Sequence, residues 1–288
     1  MKAPSFNYLR AGSLAEVFSL LAQHGDAARV LAGGQTLVAT LNMRLSEPEL
    51  LIDISGLAEL RGIELAGQLA GQVLRIGALA THTEIERSAL VAQHAPLLAQ
   101  AAPHIAHRAI RNRGTLGGSL AYADPAAEWP ACIRALDATL LLQGAAGQRR
   151  VAAADFFQGL YTTALRPGEL LVACELPVLQ AGECQVFDEL ARRQGDYAIT
   201  GLAARALRRG AALHEVRLAF LGLEDRPVRA LQTEAVLDGR SIDDAVLTQA
   251  ERVLRSELHP SGDLTNTAET KLHLASVLMR RVLRRLVA

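Results

Sequence analysis

Two glycine pairs are the features of this sequence with the clearest chemical use. The first pair lies in the segment 32–36, AGGQT, and the second in the segment 115–119, TLGGS. Adjacent glycines let the backbone approach an anion closely and turn consecutive N–H groups toward it, while threonine and serine hydroxyls add further donors. We therefore predict that both segments bind phosphate, and a pyrophosphate held between two such turns explains why the chain has both.

Either pair alone is also typical of a plain tight turn, so the prediction depends on their combination. The chain contains neither the GxGxxG pattern of a Rossmann dinucleotide site nor the GxxxxGK pattern, followed by Ser or Thr, of a P-loop. A dinucleotide bound by this chain is therefore expected to be held by another kind of fold.

The elements that position the two segments alternate between helix and strand. Apolar periodicity and capping residues predict, in the first part of the chain, a helix at 13–24, a strand at 28–32, a helix at 36–45 and a buried strand at 50–54. After a glycine-punctuated connection at 57–71, we predict a strand at 73–79, helical stretches over 83–102, a helix at 127–136, and strands at 139–143 and 170–176.

From residue 185 onward the pattern changes. Strands are predicted first, at 186–190, 198–207 and 216–223, and helices afterwards, at 228–237, 242–258 and 269–286. Strands followed by helices indicate a separate α+β unit. The last helix contains four arginines near its end, which we expect to form a solvated face, with binding of acidic groups as the alternative: Arg280, Arg281, Arg284 and Arg285.

Composition limits the possible partners and the compartment. The 30 basic residues balance 30 acidic ones over 288 residues, so no net field attracts nucleic acid or an anionic membrane. The N-terminus lacks a signal-peptide pattern, and no apolar run reaches the roughly 18 residues of a membrane helix. We expect a cytoplasmic protein without membrane insertion.

The cysteines and histidines do not suggest a metal or catalytic site. Cys132, Cys174 and Cys184 are scattered without CxxC spacing, so we expect buried free thiols and no protein-bound cluster. His104 and His107 are candidates for a metal pair or a general base, but no third ligand lies near them in sequence, and helix packing is the simpler interpretation. No catalytic residue and no metal ligand is predicted.

Several further blocks carry a family resemblance. They are IAHRAIRNRG at 105–114 and AYADPAAEWP at 121–130, together with PSFNY at 4–8, GELL at 168–171, ELP at 175–177 and RRQGDYA at 192–198. With the two glycine segments, these blocks resemble the flavoprotein (medium) subunit of the molybdenum hydroxylases over essentially the whole chain. That group includes bacterial carbon monoxide dehydrogenase, quinoline and caffeine dehydrogenases, and the flavin domain of xanthine dehydrogenase.

The resemblance implies an α+β fold in three parts. Residues 1–57 and 58–177 are expected to form the two subdomains of an FAD-binding fold of the PCMH or vanillyl-alcohol-oxidase type. Residues 178–288 are expected to form a C-terminal α+β domain of the CO dehydrogenase flavoprotein type. The alternation of elements described above agrees with this division.

The resemblance also implies the FAD site. The pyrophosphate is expected to lie against main-chain amides of Ala32, Gly33, Gly34, Gln35, Thr36, Leu37, Thr115, Gly117, Gly118 and Ser119, with Asp124 nearby. Glu128 matches an acidic residue that binds ribityl hydroxyls, although an ordinary acid at a helix N-terminus is the alternative. Asp196 and Tyr197 match the stretch that approaches the isoalloxazine, and Leu171 matches an apolar flavin contact. A core tyrosine and a core strand leucine are the alternatives for Tyr197 and Leu171.

The function implied is electron transfer through FAD. Substrate is hydroxylated at a molybdenum-pterin cofactor on a large partner subunit, and electrons pass through two 2Fe-2S clusters on a small subunit to FAD in this chain and then to an external acceptor. A dimer of heterotrimers is expected. The alternatives are a stand-alone FAD-dependent oxidoreductase and a flavin-free scaffold subunit.

The sequence departs from two branches of the family. Flavin domains of the xanthine dehydrogenase type have a lysine two residues after the position of Tyr197, where this chain has Ile199. NAD use therefore does not follow, and quinone, cytochrome, NAD and oxygen all remain candidate acceptors. The chain also lacks the cysteine-rich insertion of the benzoyl-CoA-reducing branch.

Overall fold

The computed structural model describes residues 2–67 and 71–288, which form three principal sheets covered by helices. The strands are β1 (Asn7–Arg10), β2 (Ala28–Leu31), β3 (Leu50–Asp53), β4 (Ile63–Ala66), β5 (Val73–Gly77), β6 (Thr139–Gly144), β7 (Gly147–Ala152), β8 (Phe157–Gly159), β9 (Thr162–Thr163), β10 (Leu170–Pro177), β11 (Glu183–Ala191), β12 (Ala198–Arg209), β13 (Ala212–Leu221), β14 (Val228–Arg229) and β15 (Arg240–Ser241).

Twelve α-helices occur in the described residues. They are α1 (Leu14–His24), α2 (Leu37–Asn42), α3 (His82–Arg87), α4 (Ala89–His94), α5 (Pro96–Ala101), α6 (Arg108–Arg111), α7 (Leu116–Tyr122), α8 (Glu128–Ala135), α9 (Ala153–Phe156), α10 (Leu231–Leu237), α11 (Asp244–Glu257) and α12 (Ala268–Val287). Short 3-10 turns lie at 25–27, 58–60 and 102–104.

The first sheet is parallel, with the order β1-β3-β2. Ser13 caps α1 by accepting a hydrogen bond from the N–H of Glu16, and Gly25 ends the helix at φ +51°. All four residues of the central strand β3 are buried, as predicted, and they include the charged residue Asp53. The predicted elements at 13–24, 28–32, 36–45 and 50–54 are confirmed, with ends shifted by at most a few residues.

The second sheet is antiparallel, with the order β4-β5-β10-β6-β7. Its core includes Trp129, Cys132 and Phe156, which helices α3 to α8 and α9 help to enclose. The prediction of a connection without a strand at 57–71 was wrong, because β4 lies within it. This four-residue edge strand was missed because its partly exposed side chains give little periodicity. Residues 68–70 of that connection lie outside the described residues.

The third sheet has the order β11-β12-β13-β14 and packs against α10, α11 and α12. The strands therefore precede the helices, as predicted for the α+β unit. The predicted helix at 228–237 is instead the short strand β14 followed by α10.

The arginines of α12 do not form a merely solvated face. Arg281 and Arg285 lie 2.6 and 3.2 Å from the Asp188 carboxylate on β11. Arg284 pairs with Asp244 on α11 at 3.1 Å. The arginine run therefore joins the last helix to its neighbours, although the exposure of these pairs limits their contribution to stability.

Three findings concern the remaining predictions. Within residues 2–67 and 71–288, no helix is long and apolar enough to span a membrane. The same residues contain no cluster of three His, Cys, Asp or Glu side chains suited to a metal ion. Cys132 and Cys174 are buried free thiols, whereas Cys184 is partly exposed, contrary to the prediction.

Candidate functional site

The fold brings the two glycine segments together. The first segment forms the turn between β2 and α2, as predicted. A Cβ atom on Gly33 would lie 2.0 Å from the carbonyl oxygen of Arg113 and 3.0 Å from Cα of Gly114. Gly34 has φ +73°, a conformation that favours glycine. The first turn therefore touches the backbone just before the second segment.

The first turn also presents a row of unused donors. Within the described residues, the main-chain N–H groups of 33–37 donate to no protein acceptor. The Gln35 side chain instead donates to the Gly33 carbonyl oxygen at 3.1 Å. All five residues are partly exposed, so the turn lies at the protein surface. Consecutive free amides beside close-packed glycines fit the phosphates of FAD.

The second segment has a different geometry from the one predicted. It lies in the first turn of α7, where Thr115 is the N-cap and its hydroxyl accepts from the N–H of Gly118 at 3.1 Å. The N–H of Gly117 donates to the Ala78 carbonyl at 2.8 Å, and the N–H of Ser119 donates to the Thr115 carbonyl at 3.1 Å. These amides are already used inside the protein, so in this structure they are not the pyrophosphate donors we expected.

Gly117 has a packing role. A Cβ atom there would lie 2.5 Å from the Cβ of Ala78, so only glycine lets α7 approach the end of β5 this closely. The polar group left on this side of α7 is the hydroxyl of Ser119, which is partly exposed and makes no hydrogen bond within the described residues. Within the described residues, the unused donors of the second segment are therefore the Ser119 hydroxyl and the main-chain N–H of Thr115, which is a buried residue.

His82 and Trp129 form a hydrogen-bonded pair that contacts the backbone just before the second segment. The Trp129 indole N–H donates to Nδ1 of His82 at 2.9 Å, and the His82 main-chain N–H donates to the Gly114 carbonyl at 3.0 Å. Burial, followed by the charge of Arg111, lowers the pKa of His82 to about 4, so the imidazole is neutral at neutral pH. The sequence reasoning missed this pair because 47 residues separate its members.

Three tyrosines and an aspartate form a second cluster of candidate residues. The rings of Tyr122 and Tyr161 lie with centroids 5.0 Å apart. The Tyr197 hydroxyl interacts with the carboxylate of Asp124, and burial raises the Asp124 pKa. Local desolvation and the charge of Asp124 raise the pKa of Tyr197 to about 12, while the residue as a whole is 68% exposed. Tyr197 is therefore not a core tyrosine.

Glu128 is buried at the first position of α8, with 8% of its surface exposed. Burial and then the negative charge of Glu189 raise its pKa to about 8, so the carboxyl is mostly protonated at neutral pH. An ordinary acid at a helix N-terminus is exposed and ionised, which this residue is not. A protonated carboxyl can both donate to and accept from hydroxyl groups.

The remaining predicted residues lie in the loop between β11 and β12 and on strand β10. Asp196 and Tyr197 end a loop that lies on His107, because a Cβ on Gly195 would be 2.8 Å from the His107 imidazole. His107 therefore packs against this loop. Leu171 is 6% exposed and pairs with Leu142 in the core sheet, and β10 contacts α7.

Comparison with known proteins identifies the two halves of the chain separately. Residues 4–179 match the family described as the FAD binding domain in molybdopterin dehydrogenase, and residues 185–286 match the CO dehydrogenase flavoprotein C-terminal domain. The 6-hydroxypseudooxynicotine dehydrogenase complex subunit alpha of Paenarthrobacter nicotinovorans is 37% identical over 98% of this chain and 95% of the relative.

Solved structures give the same answer. Carbon monoxide dehydrogenase from Hydrogenophaga pseudoflava superposes with a TM-score of 0.95 at 34% identity, over 100% of both chains. Quinoline 2-oxidoreductase from Pseudomonas putida 86 superposes with a TM-score of 0.93 at 38% identity, over 100% of this chain and 98% of that one. The chain belongs to the molybdenum hydroxylase family as one of its FAD-binding medium subunits.

Proposed function

We propose that this chain holds FAD as the electron-transfer centre of a three-subunit molybdenum hydroxylase, receiving electrons from 2Fe-2S clusters on a small subunit and delivering them to an external acceptor. The single observation that carries the proposal is the row of free N–H groups at 33–37 beside Gly33, which fits a pyrophosphate. A scaffold that had lost its flavin has no need to keep this turn open, so the observation also favours FAD binding over the scaffold alternative.

The chain contributes binding and orientation. We assign the pyrophosphate mainly to the main-chain amides of Gly33, Gly34 and Gln35. The amides of Ala32, Thr36 and Leu37 are assigned to the same site. The Ser119 hydroxyl contributes a donor from the second segment. Thr115 and Gly118 form the N-terminal cap of α7, and Gly117 lets α7 pack against Ala78, so these three residues position Ser119.

The ribityl and ring end of FAD is assigned to the second cluster. Glu128 and Asp124 provide groups that bind neutral hydroxyls, and the partly protonated state of Glu128 suits that role. Tyr197, which is exposed next to Asp196, covers one face of the isoalloxazine and controls access of the acceptor. Leu171 contributes an apolar contact from β10.

FAD supplies the ability to take up electrons singly and to release them singly or in pairs, which the protein itself lacks. We propose that a large subunit with a molybdenum-pterin cofactor and a small 2Fe-2S subunit complete the enzyme, as a dimer of heterotrimers in the cytoplasm. Relatives named as medium chains and as a complex subunit support the partner subunits. Within the described residues, no group of three or more His, Cys, Asp or Glu side chains is placed to hold a metal ion.

The first experiment is reconstitution of the purified chain with FAD, followed by desalting and a visible absorption spectrum. We expect bound flavin in the natural chain and none in Gly33→Val, because the larger side chain collides with the Arg113 carbonyl. Gly12→Ala is the matched control, since a Cβ there meets nothing closer than 3.5 Å. Circular dichroism checks that all three proteins are folded.

The second experiment separates the subunit from the stand-alone alternative. The flavin-loaded chain is tested with N-heterocyclic and aldehyde substrates alone and after co-expression with candidate large and small subunits. Substrate-dependent flavin reduction only in the complex supports the proposal, and reduction by the isolated chain overturns it. Reoxidation by NAD, a quinone, a cytochrome or oxygen then identifies the acceptor.

A further inference from the structure

Tyr122 and Tyr161 form an exposed ring pair at the end of helix α7. Their ring centroids lie 5.0 Å apart and their planes are inclined at 53°. The residues are 36% and 52% exposed, so the pair lies at the protein surface. Paired aromatic rings contribute to stability mainly through the area that they bury in a core, and much of this pair is not buried. Its location therefore requires an explanation other than core packing.

The backbone of Tyr161 is held in an unfavourable conformation. It lies at φ +52°, in the left-handed region that favours glycine and is costly for an aromatic residue. Leu160 and Tyr161 form the two-residue turn between β8 and β9, where glycine or asparagine is the usual residue at such an angle. Such strain persists only where the surrounding structure imposes it, and it is concentrated at functional sites. The turn therefore holds a tyrosine at a cost in stability.

The base of this hairpin is fixed from two sides. Phe157 of β8 is buried, and its ring packs edge-on against that of Phe156 with centroids 5.1 Å apart. The guanidinium of Arg226, from the C-terminal domain, donates to the carbonyl oxygen of Gln158 at 3.3 Å. These contacts hold the hairpin, and with it the Tyr161 ring, against the end of α7.

Helix α7 connects the ring pair to the FAD site. Tyr122 is the last residue of the helix and lies three residues after Ser119, so the two side chains share one face. Asp124 follows two residues later, and local desolvation and then its charge raise the pKa of the Tyr161 hydroxyl. Ser119 is assigned to the pyrophosphate and Asp124 to the ribityl end. Tyr122 therefore lies, along the chain, between two residues assigned to FAD.

We propose that Tyr161 is a positioning residue of the FAD site, whose ring holds the Tyr122 ring in place as a wall beside the flavin end of the cofactor. This inference rests on the proposed function for the presence of FAD. The Tyr122 side chain is exposed at the end of a helix, so without a neighbour its ring samples several rotamers. Ordering such a side chain on ligand binding costs affinity, and the hairpin removes most of that cost in advance. The β8–β9 hairpin therefore contributes to FAD binding without belonging to either glycine segment.

The test measures FAD affinity by calorimetric titration and stability by urea unfolding of the FAD-free chain. Tyr161→Gly should weaken FAD binding about threefold to tenfold, as expected when one more side chain must be ordered on binding. Its urea midpoint should stay equal or rise, because glycine adopts the φ angle of this turn without strain. Tyr161→Asn, which also tolerates the left-handed region, should behave in the same way. A tyrosine with only a structural role would instead lose stability and leave the affinity unchanged.

Three further variants identify the ring pair as the cause. Tyr161→Phe keeps both rings and should bind FAD like the natural chain. Leu160→Ala removes the neighbouring exposed side chain of the same turn and should also bind normally. In Tyr122→Ala the wall itself is lost, so adding Tyr161→Gly to it should weaken binding no further.

The possible outcomes separate this inference from the proposed function. Natural affinity in Tyr161→Gly, additive losses in the double variant, or an equal loss in Tyr161→Phe or Leu160→Ala overturns the role of Tyr161 alone, provided that the natural chain binds FAD. A natural chain that binds no FAD contradicts the proposed function and this inference together.

Discussion

A side chain on Gly33 would collide with the carbonyl oxygen of Arg113, since a Cβ atom there would lie 2.0 Å from it. This contact holds the first glycine turn against the backbone that leads into the second glycine segment. The glycine is therefore needed for tertiary packing as well as for ligand approach. Substitution at this position should disturb both.

Gly33→Ala is the smallest change that tests this relationship. We expect FAD binding to weaken by more than about tenfold, because the 33–37 turn must move away from α7 to relieve the overlap. Calorimetric titration with FAD measures the change. Gly12→Ala, which has room for a methyl group, should bind FAD like the natural chain. Equal affinity in the two variants would contradict our placement of the pyrophosphate.

Ser119→Ala tests the only donor that we assign to the second segment. Loss of one hydrogen bond should cost about 1 kcal/mol of binding free energy, or roughly fivefold in FAD affinity. Protein stability should stay unchanged, since the hydroxyl has no hydrogen-bond partner among residues 2–67 and 71–288. Thr115→Ala is the informative comparison. It removes the N-cap of α7 and should lower the free energy of unfolding by about 1 kcal/mol.

The order of elements could be predicted from the sequence because apolar periodicity and caps such as Ser13 are local signals. Placement of Gly33–Gly34 between strand and helix was predicted for the same reason. The role of the second glycine pair was not predicted correctly. The Gly117 N–H donates to the carbonyl of Ala78, which lies 39 positions earlier and comes close only in the folded chain. His82 and Trp129 were likewise too far apart in sequence to be paired.

His82 makes stability depend on acid pH. Its pKa is about 4 in the folded protein, below the ordinary value of 6.5, so folding favours the neutral form. The stability it contributes is complete above pH 6.5 and is lost as the pH falls through 4, by up to about 3 kcal/mol. His82→Asn keeps an acceptor for Trp129 and should flatten this part of the profile measured by urea unfolding. His259→Asn, at an exposed site, should not.

Tyr197 is predicted to act through its ring. Tyr197→Ala should weaken FAD binding about threefold to tenfold, as expected for loss of one aromatic contact. It should also raise the fluorescence of bound flavin. Tyr197→Phe keeps the ring and serves as the matched control, with near-natural affinity and fluorescence. If Tyr197→Phe loses as much FAD affinity as Tyr197→Ala, the hydroxyl and its interaction with Asp124 matter more than the ring.

Glu128 should give the opposite pH dependence from His82. Its pKa is raised from 4.5 to about 8 by burial and by Glu189, so folding favours the protonated form. The stability it contributes is complete below pH 4.5 and is lost as the pH rises through 8, by a few kcal/mol. Glu128→Gln cannot ionise, so its free energy of unfolding should exceed that of the natural chain at pH 8.5 and approach it at pH 5. Urea unfolding of the FAD-free proteins at both pH values measures the difference, with Glu59→Gln as the exposed control. A constant difference across that range would mean that Glu128 is ionised in the folded protein.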